Sequence, residues 1–264
     1  MGYFKKMRCF LSNQFNLFDT ENFYDKYANK YKEIRLQKGM LFNDYIELPA
    51  IMSEIKKFRN KPKKILDIGC GTGFYTRNLI GMAQEITAID ISQNMLDLAN
   101  EHCKDNISID LLNKINFIHT SLEKYKAPKK YYDLVLGTFM LGYFNNLDIF
   151  FSKIKNIISD NGKLIISTLH PFRMYSEKKD DGYHLNQNYF NDGYYESDFL
   201  SKEDTLKLKR WTFEEINHFA FKNGFLIEQQ ISPKPIIDIP SALKEEADYY
   251  RKFPSILIII LRRK

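Results

Sequence analysis

The stretch Ile65–Leu79, ILDIGCGTGFYTRNL, decides the fold. An apolar run of strand length breaks into three glycines within five residues and then continues with a helical pattern. A strand, a glycine turn and a helix in this order are typical of the first unit of a doubly wound sheet, whose ligand lies against the turn. Phosphate cofactors, dinucleotides and nucleosides all use such a turn, so the neighbouring residues have to distinguish them.

The segment that follows supplies the rest of a sheet. From Asp67 to Leu169, apolar runs of strand length alternate with stretches of helical period, which predicts a parallel sheet wound by helices. Strands are expected at Lys64–Ile68, Glu85–Asp90, Asn116–His119, Tyr132–Gly137 and Lys163–Thr168. Helices are expected at Gly73–Gly81, Ser92–Asn100, Asp148–Ser159 and Thr212–Asn223. Two final apolar runs, expected to pair antiparallel at one sheet edge, are Phe225–Ile231 and Ser255–Leu261.

The segments outside these runs are expected to cover the sheet. Two helical patterns, ENFYDKYANKY and LFNDYIELPAIMSEIKKF, precede the first strand. The polar, aromatic stretch after the fifth strand suggests a cap over the strand ends. A chain of 264 residues can form one domain with such additions. We therefore expect a helical lid at 1–59, a core at 60–170, a cap insertion at 171–210 and completion of the core at 211–264.

Composition restricts the class of partner. The net charge of +6 comes from scattered basic residues, which favours a solvated surface over a nucleic-acid stripe. Cys9, Cys70 and Cys103 have neither metal-site nor disulfide spacing, so we expect no metal and a cytoplasmic location. The run SILIIIL is too short to span a bilayer, and the first residues do not resemble a targeting segment. We expect the partner to be a small molecule, and we expect no association with a membrane. The oligomeric state is left open.

The residues around the glycines narrow the ligand. A dinucleotide turn needs a third glycine where Phe74 stands, and a phosphate-binding loop needs a lysine after its last glycine. Asp67 would repel a phosphate but suits a cationic group. Asp90, at the end of the second predicted strand, is placed to accept ribose hydroxyls. A ribose without phosphate beside a cation indicates S-adenosylmethionine; a sharp turn that binds nothing is the plainer alternative.

Longer motifs resemble a known family. In order and spacing, four segments are similar to the successive motifs of class I S-adenosylmethionine-dependent methyltransferases: ILDIGCGTGFYTRNLI, ITAIDISQNMLDLA, YYDLVLGTFMLGYF and NGKLIISTLHPF. The flanks resemble a group of bacterial small-molecule methyltransferases in YDKYANKY, NDYIELPA, HPF and FPSILIIILRRK. The resemblance implies an α/β, doubly wound, seven-stranded Rossmann-like sheet of order 3-2-1-4-5-7-6. Its strand 7 is antiparallel, with a helical lid and an insertion after strand 5.

The resemblance also implies roles for particular residues. The methionine portion would be cradled by Asp67, Gly69, Gly71 and Gly73. Asp90 would take the ribose hydroxyls and Ile91 would pack on the adenine. Gly137 and Phe139 match positions near the methionine portion and the pocket mouth. Where the family often has an aspartate for the adenine amino group, this chain has Ser121, followed by Leu122.

The lid contains a row of tyrosines. Tyr24, Tyr27 and Tyr31 recur at spacings of three and four and so share one helix face. Ordinary packing is one interpretation. In the other, the helix closes over the cofactor, Tyr24 or Tyr31 binds its carboxylate with help from Arg35, and Tyr27 lies near the acceptor.

His170 is the candidate base, because it follows a strand end and histidine titrates near neutral pH. It also has a structural interpretation, in which it shapes the turn before Pro171. The acceptor is expected where Tyr143, His170 and the insertion converge. The aromatic residues of that insertion either pack or form a substrate wall.

The sequence thus predicts an enzyme that moves a methyl group from S-adenosylmethionine to a nitrogen or oxygen of a small molecule. The expected step is an in-line displacement that gives S-adenosylhomocysteine and needs alignment more than a metal. A tRNA or protein methyltransferase is one alternative. A module that binds the cofactor without turnover is another.

Overall fold

The computed structural model describes residues 17–38, 40–104, 107–174, 176–179, 182–185, 189, 193–197 and 200–264. The helices are α1 (Leu17–Lys38), α2 (Leu48–Lys56), α3 (Phe74–Leu79), α4 (Gln93–Lys104), α5 (Ile109–Leu112), α6 (Leu147–Ile157), α7 (Pro171–Met174), α8 (Phe213–Lys222) and α9 (Lys244–Tyr250). A π-helix at Asn43–Glu47 leads into α2, and 3-10 turns form at Leu141–Tyr143 and Ser241–Leu243.

The strands divide into one large sheet and two hairpins. The large sheet contains β1 (Lys64–Ile68), β2 (Glu85–Asp90), β3 (Ile115–His119), β4 (Tyr132–Gly137), β5 (Ile158–Leu169), β10 (Phe225–Ile231) and β11 (Ile256–Arg263). The hairpins are β6 (Ser176–Lys179) with β7 (Gly182–Leu185), and β8 (Tyr194–Ser197) with β9 (Leu206–Lys209).

The large sheet has the order β10-β11-β5-β4-β1-β2-β3. Strands β1 to β5 run parallel, while β11 pairs antiparallel with both β5 and β10. Numbered within this sheet alone, the order is 3-2-1-4-5-7-6 with strand 7 antiparallel. The predicted fold class and topology are confirmed.

The central strands are buried on both faces, as a doubly wound sheet requires. Ile65 belongs to the apolar cluster under α2, α3 and α9, whereas its neighbour Leu66 belongs to the cluster under α6 and α8. Since successive side chains of a strand point to opposite faces, each central strand contributes to both clusters. The near-continuous apolar runs of the sequence follow from this arrangement.

The predicted boundaries differ most at β5. The helix expected to reach Ser159 ends at Ile157, and β5 begins at Ile158 instead of Lys163. Ile158 is already paired with Tyr132 of β4, so the chain has joined the sheet before Gly162. A Cβ on Gly162 would lie 2.9 Å from the carbonyl oxygen of Tyr132. Gly162 therefore lets two strands approach closely.

The insertion forms α7 and the two hairpins, which the sequence did not predict because each strand has only four residues. The hairpin of β8 and β9 packs on α1 through a small apolar cluster that includes Phe23, Leu206 and Leu208. Trp211, after β9, is buried and donates a hydrogen bond from Nε1 to the carbonyl oxygen of Leu141 at 2.8 Å. It packs in the core.

Within the described ranges, none of the helices combines the length and the apolar character that a membrane crossing needs. The same ranges contain no cluster of three or more histidine, cysteine, aspartate or glutamate side chains suited to a metal ion.

Candidate active site

A cavity opens at the carboxyl edge of the large sheet, above the ends of β1, β2 and β4. It encloses about 1060 Å³ of space that continues into solvent. The glycine loop after β1 forms its floor, α1 crosses one side, and the turn Leu141–Tyr143 closes another. Among the described residues that line it, the only formally charged side chains are the carboxylates of Asp90 and Glu123.

The three glycines of the loop share a positive φ but differ in how much space a Cβ would have at each position. Gly69, Gly71 and Gly73 all have positive φ, at 64°, 53° and 73°. A Cβ on Gly69 would lie 2.2 Å from the Met140 sulfur, and one on Gly73 would lie 2.9 Å from the Ala99 Cβ. A Cβ on Gly71 would meet nothing within 4 Å, because this residue faces the open cavity. Gly71 is thus the position where a ligand can approach the backbone.

Asp90 joins this loop to the end of β2. It is 8% exposed, and its Oδ2 accepts a hydrogen bond from the Gly71 N–H at 2.8 Å. Its Oδ1 accepts from the Ser92 N–H at 2.9 Å. Burial raises the pKa of the carboxyl, while these two backbone donors lower it. Each oxygen retains acceptor capacity for a ligand hydroxyl on the cavity side.

Asp67 lies beneath the loop, next to the last residue of β1. It is 1% exposed, and its Oδ2 accepts from the Thr76 hydroxyl at 2.6 Å. Its Oδ1 is buried with no hydrogen-bond partner among the described residues. Burial raises the pKa of Asp67 to about 7. A buried carboxylate with one unmatched oxygen favours a cationic neighbour.

These features fit S-adenosylmethionine better than a phosphate ligand. The sulfonium and ammonium groups are cations, and the cavity presents carboxylates and no lysine, arginine or histidine among its described lining residues. The open side of Gly71 and the unmatched Asp67 oxygen meet the needs of a nucleoside with a charged tail. A pyrophosphate would find only repulsive charges here.

Helix α1 is held over the cavity from both sides. Asp25 accepts hydrogen bonds from the Ser92 hydroxyl at 2.5 Å and the Asn94 N–H at 3.1 Å, at the start of α4. On the other side, the Lys26 Nζ donates to Asp204, beyond β8, at 2.8 Å. Because α1 contacts both the core and the insertion, it is placed to act as a lid.

The lid presents polar groups to the cavity. The Tyr24 hydroxyl is hydrogen-bonded to the Tyr143 hydroxyl, and burial raises the pKa of both, so both stay protonated at neutral pH. Tyr31 also lines the cavity. Thr20 is 4% exposed and lines it too, and its hydroxyl oxygen has no partner among the described residues.

The structure brings most of the predicted site residues together. Those on the cavity lining are Tyr24, Tyr31, Gly69, Gly71, Asp90, Ile91, Ser121, Leu122, Phe139 and Tyr143. Predicted residues that are described but do not line the cavity are Tyr27, Asp67, Gly73, Gly137 and His170. The Tyr27 hydroxyl donates to Asp204 at 3.2 Å. The side chain of Arg35 lies outside the described residues.

His170 occupies a separate corner, after β5. It is 7% exposed, its Nδ1 accepts from the Phe172 N–H at 3.2 Å, and its own N–H donates to the Ser255 carbonyl oxygen at 3.0 Å. The ring lies edge-on to Phe213, with 5.2 Å between centroids. Burial lowers its pKa to about 4. These contacts suit the turn-shaping interpretation; a catalytic role stays a prediction.

Some lining residues were missed by sequence reasoning. They include Thr20, Asn43, Tyr75, Glu123 and Met140. Asn43 belongs to NDYIELPA, a segment already noted for its resemblance, so a signal existed for it. Tyr75 and Met140 lie within ILDIGCGTGFYTRNLI and YYDLVLGTFMLGYF, so the same signal existed for them, whereas only the fold brings Thr20 and Glu123 to the cavity.

Comparison with known proteins agrees with this geometry. Residues 66–166 match the family described as a methyltransferase domain. An uncharacterised protein of Haemophilus influenzae is 28% identical over 163 residues, which are 61% of each chain. A ubiquinone biosynthesis O-methyltransferase of Rickettsia canadensis is 32% identical over 127 residues, 47% of this chain and 51% of that one. The chain therefore matches about half to three fifths of the length of these relatives.

A solved structure shows the same fold. It is that of an S-adenosylmethionine-dependent methyltransferase from Mesorhizobium loti, with a TM-score of 0.67 and 21% identity over 82% of this chain and 97% of that one. The fold and the family match over residues 66–166 agree with the predicted resemblance to class I S-adenosylmethionine-dependent methyltransferases. The part of the chain that matches the methyltransferase-domain family runs from β1 into β5, and these matches support S-adenosylmethionine as the cofactor. The predicted class and cofactor are confirmed.

Proposed function

We propose that the protein transfers a methyl group from S-adenosylmethionine to a nitrogen or oxygen of a small-molecule acceptor. One observation carries the proposal: a cavity of acidic and apolar lining lies at the strand ends under a helical lid, with an unmatched carboxylate oxygen beneath it. The cofactor supplies a methyl group already activated by a sulfonium charge. The chain has to bind, align and shield it.

In this proposal, different residues bind, align and shield the cofactor. Asp90 binds the ribose hydroxyls, and Asp67 and Gly71 hold the cationic methionine portion. Tyr24 and Tyr31 reach down from α1 to its carboxylate. In this arrangement the loop after β1 fixes the direction of the methyl group, and the lid keeps water away from it.

The acceptor is proposed to enter between the lid and the turn Leu141–Tyr143, with Tyr143 as the lining residue nearest to it, whereas Tyr27 lies off the cavity lining. The Tyr24 and Tyr143 hydroxyls keep their protons, and His170 faces another corner, so none of the three supplies a strong base. An acceptor whose own pKa releases its proton near neutral pH meets this condition. The name of the Rickettsia relative, an O-methyltransferase, supports oxygen as the accepting atom.

A small acceptor is favoured over RNA or protein because the described lining of the cavity contains no basic side chain. Cys70 and Cys103 are buried free thiols, which agrees with the cytoplasm as the proposed compartment.

The test uses labelled S-adenosylmethionine with a panel of phenols, hydroxy acids, amines, bulk tRNA and a protein lysate. Calorimetry with S-adenosylhomocysteine runs in parallel. We expect binding of S-adenosylhomocysteine and label transfer to at least one small molecule. Transfer only to tRNA or to protein would contradict the small-acceptor proposal, and tight binding without any product would indicate a non-catalytic module.

A further inference from the structure

Glu47, the last residue of the π-helix, is a carboxylate with 0% exposure just behind the cavity wall. Its Oε2 accepts hydrogen bonds from the Tyr75 hydroxyl and from the Asn43 Nδ2 at 3.3 Å. Its Oε1 accepts from the Ser167 hydroxyl. Burying a carboxylate is costly unless donors surround it, and here three side chains donate to it. The arrangement stabilises the ionised form.

The partners of Glu47 lead directly to the cavity. Asn43 and Tyr75 both line it. The Ser167 oxygen that donates to Glu47 accepts a hydrogen bond from the Phe139 N–H at 3.1 Å. Phe139 also lines the cavity and has a φ of 52°, a left-handed conformation that a phenylalanine rarely adopts. Glu47 therefore connects three lining residues at one end of the cavity.

The π-helix Asn43–Glu47 places Glu47 where it can contact these residues. The helix that leads into α2 widens to a π-turn over five residues, with Asn43 at its start and Glu47 at its end. Such turns are rare and occur often at functional sites. This one directs the side chains of Asn43 and Glu47 to each other and to the strand ends, where Ser167 of β5 lies.

The end of the cavity that Glu47 supports is the one assigned to the methionine portion. Tyr75 follows the glycine loop, and Phe139 follows β4. Asp67, with its unmatched oxygen, lies in the same part of the molecule, since its partner Thr76 is the neighbour of Tyr75. A glutamine could hold the same three partners at a lower desolvation cost. A carboxylate adds negative charge behind a cationic ligand.

From these contacts we infer that Glu47 is a positioning residue for the cationic end of the cofactor. It orients Asn43, Tyr75 and the Phe139 backbone, and its charge favours a ligand that is positive at the sulfonium position. The inference rests on the proposed function, because it assumes that S-adenosylmethionine binds in this cavity.

The test compares two ligands that differ at the sulfonium position. Sinefungin carries an ammonium there, whereas S-adenosylhomocysteine carries a neutral thioether. Calorimetry measures both dissociation constants for the wild type, Glu47→Gln and a matched control, Glu54→Gln. Glu54 is also a buried glutamate, one helix further on, but its bond is to Lys57 and it is not on the cavity lining.

We expect the preference for sinefungin over S-adenosylhomocysteine to fall about tenfold in Glu47→Gln, as loss of one nearby charge in a partly shielded site implies. Glu54→Gln should keep the wild-type ratio. Tyr75→Phe, which removes one donor and keeps the charge, should weaken both ligands equally. Such a change of ratio is not expected from a side chain that only stabilises the fold.

An unchanged ratio in a Glu47→Gln protein that melts cooperatively overturns the inference and leaves the proposed function intact. If Glu47→Gln does not melt cooperatively, Tyr75→Phe decides: affinities equal to the wild type for both ligands overturn the inference. A wild-type protein that binds neither ligand overturns the proposed function and this inference with it.

Discussion

Two corners of the sheet's carboxyl edge have titratable residues at strand ends. They differ in whether the polar atoms of those residues are already hydrogen-bonded within the chain. At the ends of β1 and β2, Asp67 keeps an oxygen without a described partner, and Asp90 lines the cavity. At the end of β5, His170 has its Nδ1 and its backbone N–H bonded within the chain, and its ring packs on Phe213. A strand end alone does not make a ligand site; the corner at β1 and β2 also has a cavity, a carboxylate that lines it and an unmatched carboxylate oxygen beneath it.

The largest effect is expected from Asp90→Ala. The change removes the proposed ribose contact and leaves the Gly71 and Ser92 N–H groups without their acceptor. Loss of two hydrogen bonds to a carboxylate corresponds to about a hundredfold weaker binding of S-adenosylhomocysteine. Calorimetry measures it. Asp97→Ala in α4, whose carboxylate accepts from Gln93, is the control, and equal affinity of Asp90→Ala and wild type would show that the ribose is placed wrongly.

The first corner was open to prediction because its signals are local. The glycine loop, Asp67 and Asp90 belong to consecutive strand and turn patterns whose spacing limits the ligand. The sheet order follows from the same patterns together with the family resemblance. Even the capping box at the start of α8 was readable, since Thr212 and Glu215 are three residues apart and exchange hydrogen bonds.

The contacts of the lid were harder to predict from the sequence, because they join distant parts of the chain. Tyr24 meets Tyr143 across 119 residues, and Glu47 meets Ser167 across 120. No periodicity marks such pairs. The hairpin of β8 and β9, which supports α1, has strands too short to leave a clear alternation. These parts depend on tertiary packing, which a single sequence does not display.

A second prediction concerns pH and Asp67. Burial raises its pKa to about 7, so the free protein holds a proton there at lower pH and must release it to face a cationic ligand. Affinity for S-adenosylhomocysteine should therefore rise about tenfold from about pH 6 to about pH 8 and then level off. Asp67→Asn should bind more weakly and lose this dependence. An equal slope in both proteins would assign the proton to another group.

A third prediction tests the lid. Thr20 on α1 lines the cavity, and its buried hydroxyl has no hydrogen-bond partner among the described residues. We therefore expect this hydroxyl to form a hydrogen bond with the bound nucleoside. Thr20→Val keeps the shape and removes the hydroxyl, which should weaken S-adenosylhomocysteine binding about fivefold. Thr20→Ser should retain most of the affinity. Thr205→Val, at the turn between β8 and β9, is the control, and equal affinity of Thr20→Val and wild type would mean that the hydroxyl does not contact the ligand.

The smallest effect on catalysis is expected at His170, and it sharpens the contrast between the two corners. If its contacts are only structural, His170→Asn, which can still accept from the Phe172 N–H, should keep kcat within about twofold of wild type on an identified acceptor. A large fall of kcat with unchanged folding would instead support a role as base.

Replacing His170 should change how the free energy of unfolding depends on pH. Because burial lowers its folded pKa to about 4, the unfolded chain takes up a proton below its ordinary value of about 6.5 and the folded chain does not. Stability therefore falls as the pH is lowered through this window, by about 2 kcal/mol from about pH 7 to about pH 5. Urea unfolding at both pH values should show that the stability difference between the wild type and His170→Asn changes by about this amount, because the raised pKa of Asp67 contributes equally to both proteins. If His170→Asn keeps kcat and loses this pH dependence, His170 stabilises the turn after β5, and the chemistry is left to the corner around Asp67 and Asp90.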